Sequence, residues 1–148
     1  RLCLWDEADD CAVFESGMSA ISTVLLEFLR PGDLVVCSSP VYGGTDHFVK
    51  KILTQFGVHV LEFSVGESKE ALVERIQASG LADKLALIYI ETPANPTNDL
   101  VDIAATKEIC KHFSTSEREV YLAVDNTYMG PLWQHPLKHG AVLYQLFE

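Results

Sequence analysis

The sequence predicts an α/β fold, a three-layer sandwich built on a mostly parallel sheet. Segments with apolar residues at helical spacing alternate along the chain with short apolar runs of strand length. Those runs are apolar at nearly every position, so both faces of each strand must be covered, and crossover helices on the two faces are how parallel strands are covered. At 148 residues the chain is about one domain long and can bury roughly 70% of its unfolded surface, enough for such a core.

Each element has its own signal. Met18, Ile21, Val24, Leu25 and Phe28 form one helical stripe over residues 18–29, which Arg30-Pro31-Gly32-Asp33 ends. Leu34–Cys37 follows as a short buried strand. Phe48, Val49, Ile52, Leu53 and Phe56 mark a second helix closing at Gly57, and residues 58–63 alternate like a strand. Ser68 can cap a helix through Ala78 with a stop at Gly80, and Leu85–Ile90 is a nearly continuous apolar strand. Asp102 can cap a helix through Phe113, after which Val120–Val124 is another strand. The closing stretch, residues 137–148, "LKHGAVLYQLFE", climbs into a strand-like run.

Composition narrows the function. With 48% apolar and 22% charged residues the chain is too hydrophobic for a disordered segment. A net charge of -10, with no basic run longer than Lys50-Lys51, argues against nucleic acid or an anionic membrane as partner. No apolar run reaches the ~20 residues of a bilayer span, and residues 1–10 carry no signal-peptide pattern, so a soluble cytoplasmic protein is expected. Cys3, Cys11, Cys37 and Cys110 show neither Cys-x-x-Cys pairing nor metal-ligand spacing, and buried reduced thiols with no metal are expected. His47, His59, His112, His135 and His139 share no spacing. Dinucleotide, serine-hydrolase and P-loop motifs are absent.

Ligands of open α/β sheets bind beyond the carboxyl ends of the strands, so the loops there deserve a chemical reading. Glu15–Ala20 opens the first helix, where unpaired N–H groups favour an anion; an ordinary capped helix start uses the same residues. Ser38–Thr45 sets Tyr42 beside Gly43-Gly44, either to stack on a planar ligand and move a proton or merely to cover the edge of the core. Two prolines stiffen Glu91–Thr97 and can hold Asn95 in one place, as they would in a plain turn. Asp125 ends an apolar strand, and a carboxylate there needs a partner: a helix N-terminus, a lysine or a protonated ligand nitrogen. Together these features suit a planar phosphorylated cofactor with a ring nitrogen, and pyridoxal 5'-phosphate fits that description.

The segments "FESGMSAI", "VYGGT", "ETPANPT", "AVDNTYMGP" and "PLKHGA" stand in an order and at spacings that resemble the Cys/Met-metabolism family of pyridoxal-phosphate enzymes. That family includes cystathionine γ-synthase, cystathionine γ- and β-lyases and methionine γ-lyase, and the resemblance runs from about Asp10 to Ala141. It implies the large domain of a fold-type I enzyme, acting by β- or γ-elimination or by γ-replacement on cystathionine, methionine or an O-acyl-homoserine. It implies that Gly17 and Met18 hold the cofactor phosphate, that Tyr42 stacks on the ring and serves as the catalytic residue in proton transfer, and that Asp125 pairs with the ring nitrogen. Thr127 would pack near the ring, and Asn95 would lie near the ring hydroxyl or substrate. A small-molecule amino-acid substrate and a homotetramer, a dimer of dimers, follow from the same likeness.

The tail departs from the family pattern. There an aspartate-led strand leads into a Ser-x-Thr-Lys motif whose lysine carries the cofactor; here Val142 stands where the aspartate is expected, and the motif does not occur. Lys50, Lys51, Lys69, Lys84, Lys107, Lys111 and Lys138 all lie elsewhere. Residues 1–148 are therefore expected to be a partial cofactor-binding domain, without the upstream segment, the lysine-bearing strand or the C-terminal domain, and without turnover of its own. An inactive remnant or interaction protein that keeps the fold is the alternative. A receiver-like module with Asp125 as acceptor is disfavoured by the lack of early acidic strand ends.

Overall fold

The computed structural model describes residues 2–141 and 143–145. Five parallel strands form one sheet in the order β2-β1-β3-β4-β5: β1 Leu34–Ser39, β2 His59–Ser64, β3 Leu85–Glu91, β4 Tyr121–Asp125 and β5 Leu143–Gln145. After a short α1, Leu2–Asp6, helix α2 spans Gly17–Phe28. Helix α3, Gly43–His47, runs on through a π turn and a 3-10 turn to Phe56. Helices α4, Lys69–Ala78, and α5, Ile103–Phe113, make the two later crossovers, and a single-turn α6 covers Gly130–Trp133.

Alternation along the strands explains the three layers. Leu34, Val36, Ile88, Ile90, Leu122 and Val124 point to one face and pack with Leu72 and Ile76 of α4 and Ile103 and Ile109 of α5. Val35, Cys37, Leu87, Tyr89 and Ala123 point to the other and pack with Ile21 and Leu25 of α2 and with Val49 and Leu53 of the α3 segment. Strand β3 is buried over its whole length, as its central place in the sheet requires.

The caps anticipated at Ser68 and Asp102 form, with side chains accepting the N–H of Ala71 and Ala105 respectively. Some bounds differ for physical reasons. Strand β1 continues two residues past Cys37 because its backbone ladder with β2 runs on through Ser38 and Ser39, although their side chains are polar. The α3 segment begins at Gly43, earlier than the apolar stripe implies: the Asp46 N–H donates to the Tyr42 carbonyl at 2.9 Å to open the helix, and Gly44 leaves room beside Tyr42 and Met18. Of the thiols, Cys37 and Cys110 are buried as expected, whereas Cys11 is exposed and Cys3 half-buried. Burial pushes the Cys110 thiol up to about 12, so it behaves as a small apolar side chain. In the closing run Leu143–Gln145 lies beside β4; Val142 and residues 146–148 fall outside the described residues.

Candidate active site

The chain moves from β1 outward to β2, then returns to β3 on the opposite side of β1. Loops leaving β1 and β3 therefore diverge, and a crevice opens between them at the carboxyl ends of the strands. A cleft of about 470 Å³ lies there, lined by Ser16, Gly17, Met18, Tyr42, Glu91, Asn95, Asp125, Thr127 and Tyr128 among others. Every one of the sequence-predicted site residues, Gly17, Met18, Tyr42, Asn95, Asp125 and Thr127, borders this one cleft.

Helix α2 supplies one wall. The Ser16 hydroxyl accepts the N–H of Ser19 at 3.1 Å and fixes the start of the helix. The amides of Gly17 and Met18 lie in the first turn, where no intrahelical carbonyl precedes them, at the positive end of a helix of 12 residues.

Strand β4 supplies the floor. Asp125 is 3% exposed. One carboxylate oxygen accepts the Thr127 N–H at 3.1 Å and the Thr127 hydroxyl, and the other accepts the Tyr89 hydroxyl at 3.2 Å. These donors hold the carboxylate in one orientation, and Thr127 acts on it directly. Burial, with Asp125 adding to it, pushes the Tyr89 phenol well above its ordinary range, so Tyr89 stays a hydroxyl donor.

The two loops close the sides. Tyr42 is half-exposed over the cleft and precedes α3. Its backbone N–H donates to Glu91 Oε2 at 2.7 Å, and the Asn95 N–H donates to Glu91 Oε1 at 2.6 Å. Sequence reasoning saw Glu91 only as part of a stiff loop and missed this role, because the contact joins residues 49 positions apart and depends on β1 lying next to β3. Ser16 and Tyr128 lie inside the motifs quoted above without being singled out as site residues, and Tyr89 was read only as part of an apolar strand.

None of the seven lysines borders the cleft, and Lys50, Lys69 and Lys138 are engaged in surface ion pairs. A second hollow, between the start of α5 and residues 133–139, contains Asp102, His135 and His139, but Asp102 is spent capping α5. Among the described residues no cluster of His, Cys, Asp or Glu is disposed to hold a metal, and no helix is long and apolar enough to cross a membrane.

Comparison with known proteins meets this geometry. A family model described as Cys/Met metabolism PLP-dependent enzyme matches residues 1–144. The chain is 36% identical over 136 residues to cystathionine gamma-lyase of Homo sapiens, covering 92% of this chain and 31% of that protein. It is 39% identical to the cystathionine beta-lyase MetC of Staphylococcus haemolyticus, over 86% of this chain and 30% of the relative. L-methionine gamma-lyase of Pseudomonas deceptionensis is 35% identical, over 95% of this chain and 33% of the relative. Among solved structures, metB from Corynebacterium glutamicum superposes with a TM-score of 0.80 at 31% identity, covering 95% of this chain and 34% of that one. The chain thus spans about a third of the length of these relatives.

Proposed function

Because the chain belongs to the Cys/Met metabolism family of PLP-dependent enzymes, we propose that its cleft is the pyridoxal 5'-phosphate site of an enzyme acting on sulfur amino acids. The observation that carries this is the buried, rigidly held Asp125 carboxylate on the floor of a cleft that also opens onto a helix N-terminus and an aromatic ring. The donor set fits the cofactor. A protonated ring nitrogen complements the carboxylate, and a phosphate complements the Gly17 and Met18 amides. The flat ring has Tyr42 to stack on.

When bound, the cofactor supplies an electron sink for a carbanion formed on an amino acid. The residues of this chain do the rest. Gly17 and Met18 would anchor the phosphate and Asp125 would keep the ring nitrogen protonated, while Thr127 and Tyr89 keep Asp125 aimed. Asn95 would orient the ring hydroxyl or substrate, and in the whole enzyme the Tyr42 hydroxyl would give its proton to a leaving thiolate. The reaction class is β- or γ-elimination or γ-replacement on cystathionine, methionine or an O-acyl-homoserine, in a cytoplasmic protein.

A polypeptide of these 148 residues has no lysine in the cleft, which supports cofactor binding without turnover, the behaviour of a non-catalytic platform. A homotetramer, a dimer of dimers, is carried into this proposal by the family likeness alone.

The test uses pyridoxine 5'-phosphate, which keeps the ring and phosphate but has no aldehyde to react with surface lysines. Calorimetry should give saturable 1:1 binding, and Asp125→Ala should weaken it by at least roughly tenfold. Equal affinity in the two proteins would refute the assignment of Asp125. With pyridoxal 5'-phosphate and cystathionine, no 2-oxo acid should be released; sustained release would refute the platform reading.

A further inference from the structure

Tyr42 and Asn95 sit on loops that leave two adjacent strands in different directions, so nothing in either loop alone fixes their separation. The Glu91 carboxylate spans the gap, with one oxygen 2.7 Å from the Tyr42 nitrogen and the other 2.6 Å from the Asn95 nitrogen. Its own N–H donates to Ser38 Oγ at 3.1 Å, which pins the end of β3 to the end of β1 as well. Glu91 is 4% exposed, and a carboxylate so buried is costly unless its hydrogen bonds are needed there.

We propose that Glu91 is a positioning residue of the cleft, whose carboxylate holds the backbone of Tyr42 and of Asn95 and so sets where the Tyr42 ring meets the cofactor. This rests on the reading of the cleft as a cofactor site. The ring end of Tyr42 is located separately. At Gly44 an added Cβ would lie 2.7 Å from Tyr42 Cε1 and 2.8 Å from Met18 Sδ, so ring and thioether close over a space that only glycine leaves. Backbone held from β3 and ring seated beside α2 together fix the tyrosine. The length of glutamate matters, because an aspartate carboxylate, one methylene shorter, would be drawn back from the amides.

The titratable groups around Glu91 are Asp125 on β4, which is its register partner, Tyr89 on β3, Cys37 on β1 and Tyr42. Burial raises the Glu91 carboxyl above its ordinary range, the two amides pull it back, and Asp125 adds to the rise.

Amide proton shifts of Tyr42 and Asn95, followed by NMR against pH in the ligand-free chain, test the tether without any substitution. Both should titrate with one common midpoint above the ordinary glutamate range. Two separate midpoints, or no titration, would overturn the proposal. A double-mutant cycle tests the consequence. Glu91→Gln, which keeps volume but turns an acceptor into an N–H donor, should lower pyridoxine 5'-phosphate affinity roughly tenfold in the parent and less than about threefold in the Tyr42→Ala background. Equal losses in both backgrounds would overturn positioning through Tyr42. Absence of any binding by the parent would defeat the cofactor reading and this inference with it, whatever the amides show; binding without the common midpoint would defeat the inference alone.

Discussion

At the scale of single residues, the site depends on two carboxylates on neighbouring strands, Glu91 and Asp125, placed side by side by the register of β3 and β4. They do different work. Asp125 is held by side-chain hydroxyls and the Thr127 amide and presents charge to the cleft, whereas Glu91 is held by backbone amides and organises the loops. The raised Glu91 carboxyl has a consequence for stability. Between the ordinary glutamate value of 4.5 and its own higher value, the unfolded chain has released this proton while the folded chain retains it. Stability should therefore fall as pH rises through that window and level off above it. The unfolding free energy of the parent minus that of Glu91→Gln, measured by urea denaturation at several pH values, should shrink from pH 4.5 upward. A difference that grows with pH would show that the sign is wrong.

At the scale of elements, the end of the sheet away from the cleft is fastened by one side chain. The Arg118 guanidinium donates to the carbonyls of Asp83 and Lys84 at 2.6 and 2.7 Å and to Asp33 Oδ1 at 2.8 Å, tying together the approaches to β1, β3 and β4. Arg118→Ala should cost about 1–2 kcal/mol of stability, since the group is partly exposed, and Arg118→Lys should recover little because an ammonium lacks the planar fork. Thermal unfolding checks both, and ligand affinity should stay at the parental value. The elements were also the most legible level of the sequence. Period and cap residues gave α2, α4 and α5 to within a residue at each end; Ser68 and Asp102 mark the starts of α4 and α5 chemically, and α2 follows from its apolar period. The start of α3 at Gly43-Gly44 was hidden: paired glycines read locally as a turn, and the close approach of Tyr42 and Met18 to Gly44 is visible only in the folded chain. The short α1 and α6 lacked the length for a periodic signal.

At the scale of the whole molecule, the strand order brings distant loops into one cleft, and this explains what could be read beforehand. Each predicted site residue belongs to a segment with its own signature at a strand end or helix start, and the sheet delivers all of them to the same crevice. Glu91 was illegible because its function exists only once β1 and β3 are neighbours. The order itself is shared by doubly wound sheets with other roles, so fold alone does not assign function; the proposed cofactor reading rests on Asp125, Tyr42 and the Gly17-Met18 turn. The chain is strongly acidic, so the phosphate of the proposed cofactor would be drawn by that turn rather than by overall charge. The most direct test of the account is a map of backbone amide shifts in the 148-residue chain on addition of pyridoxine 5'-phosphate. Saturable changes should concentrate at Gly17, Met18, Tyr42, Asn95, Asp125 and Thr127. Changes confined to the surface around Lys50 and Lys51, or none at all, would contradict it.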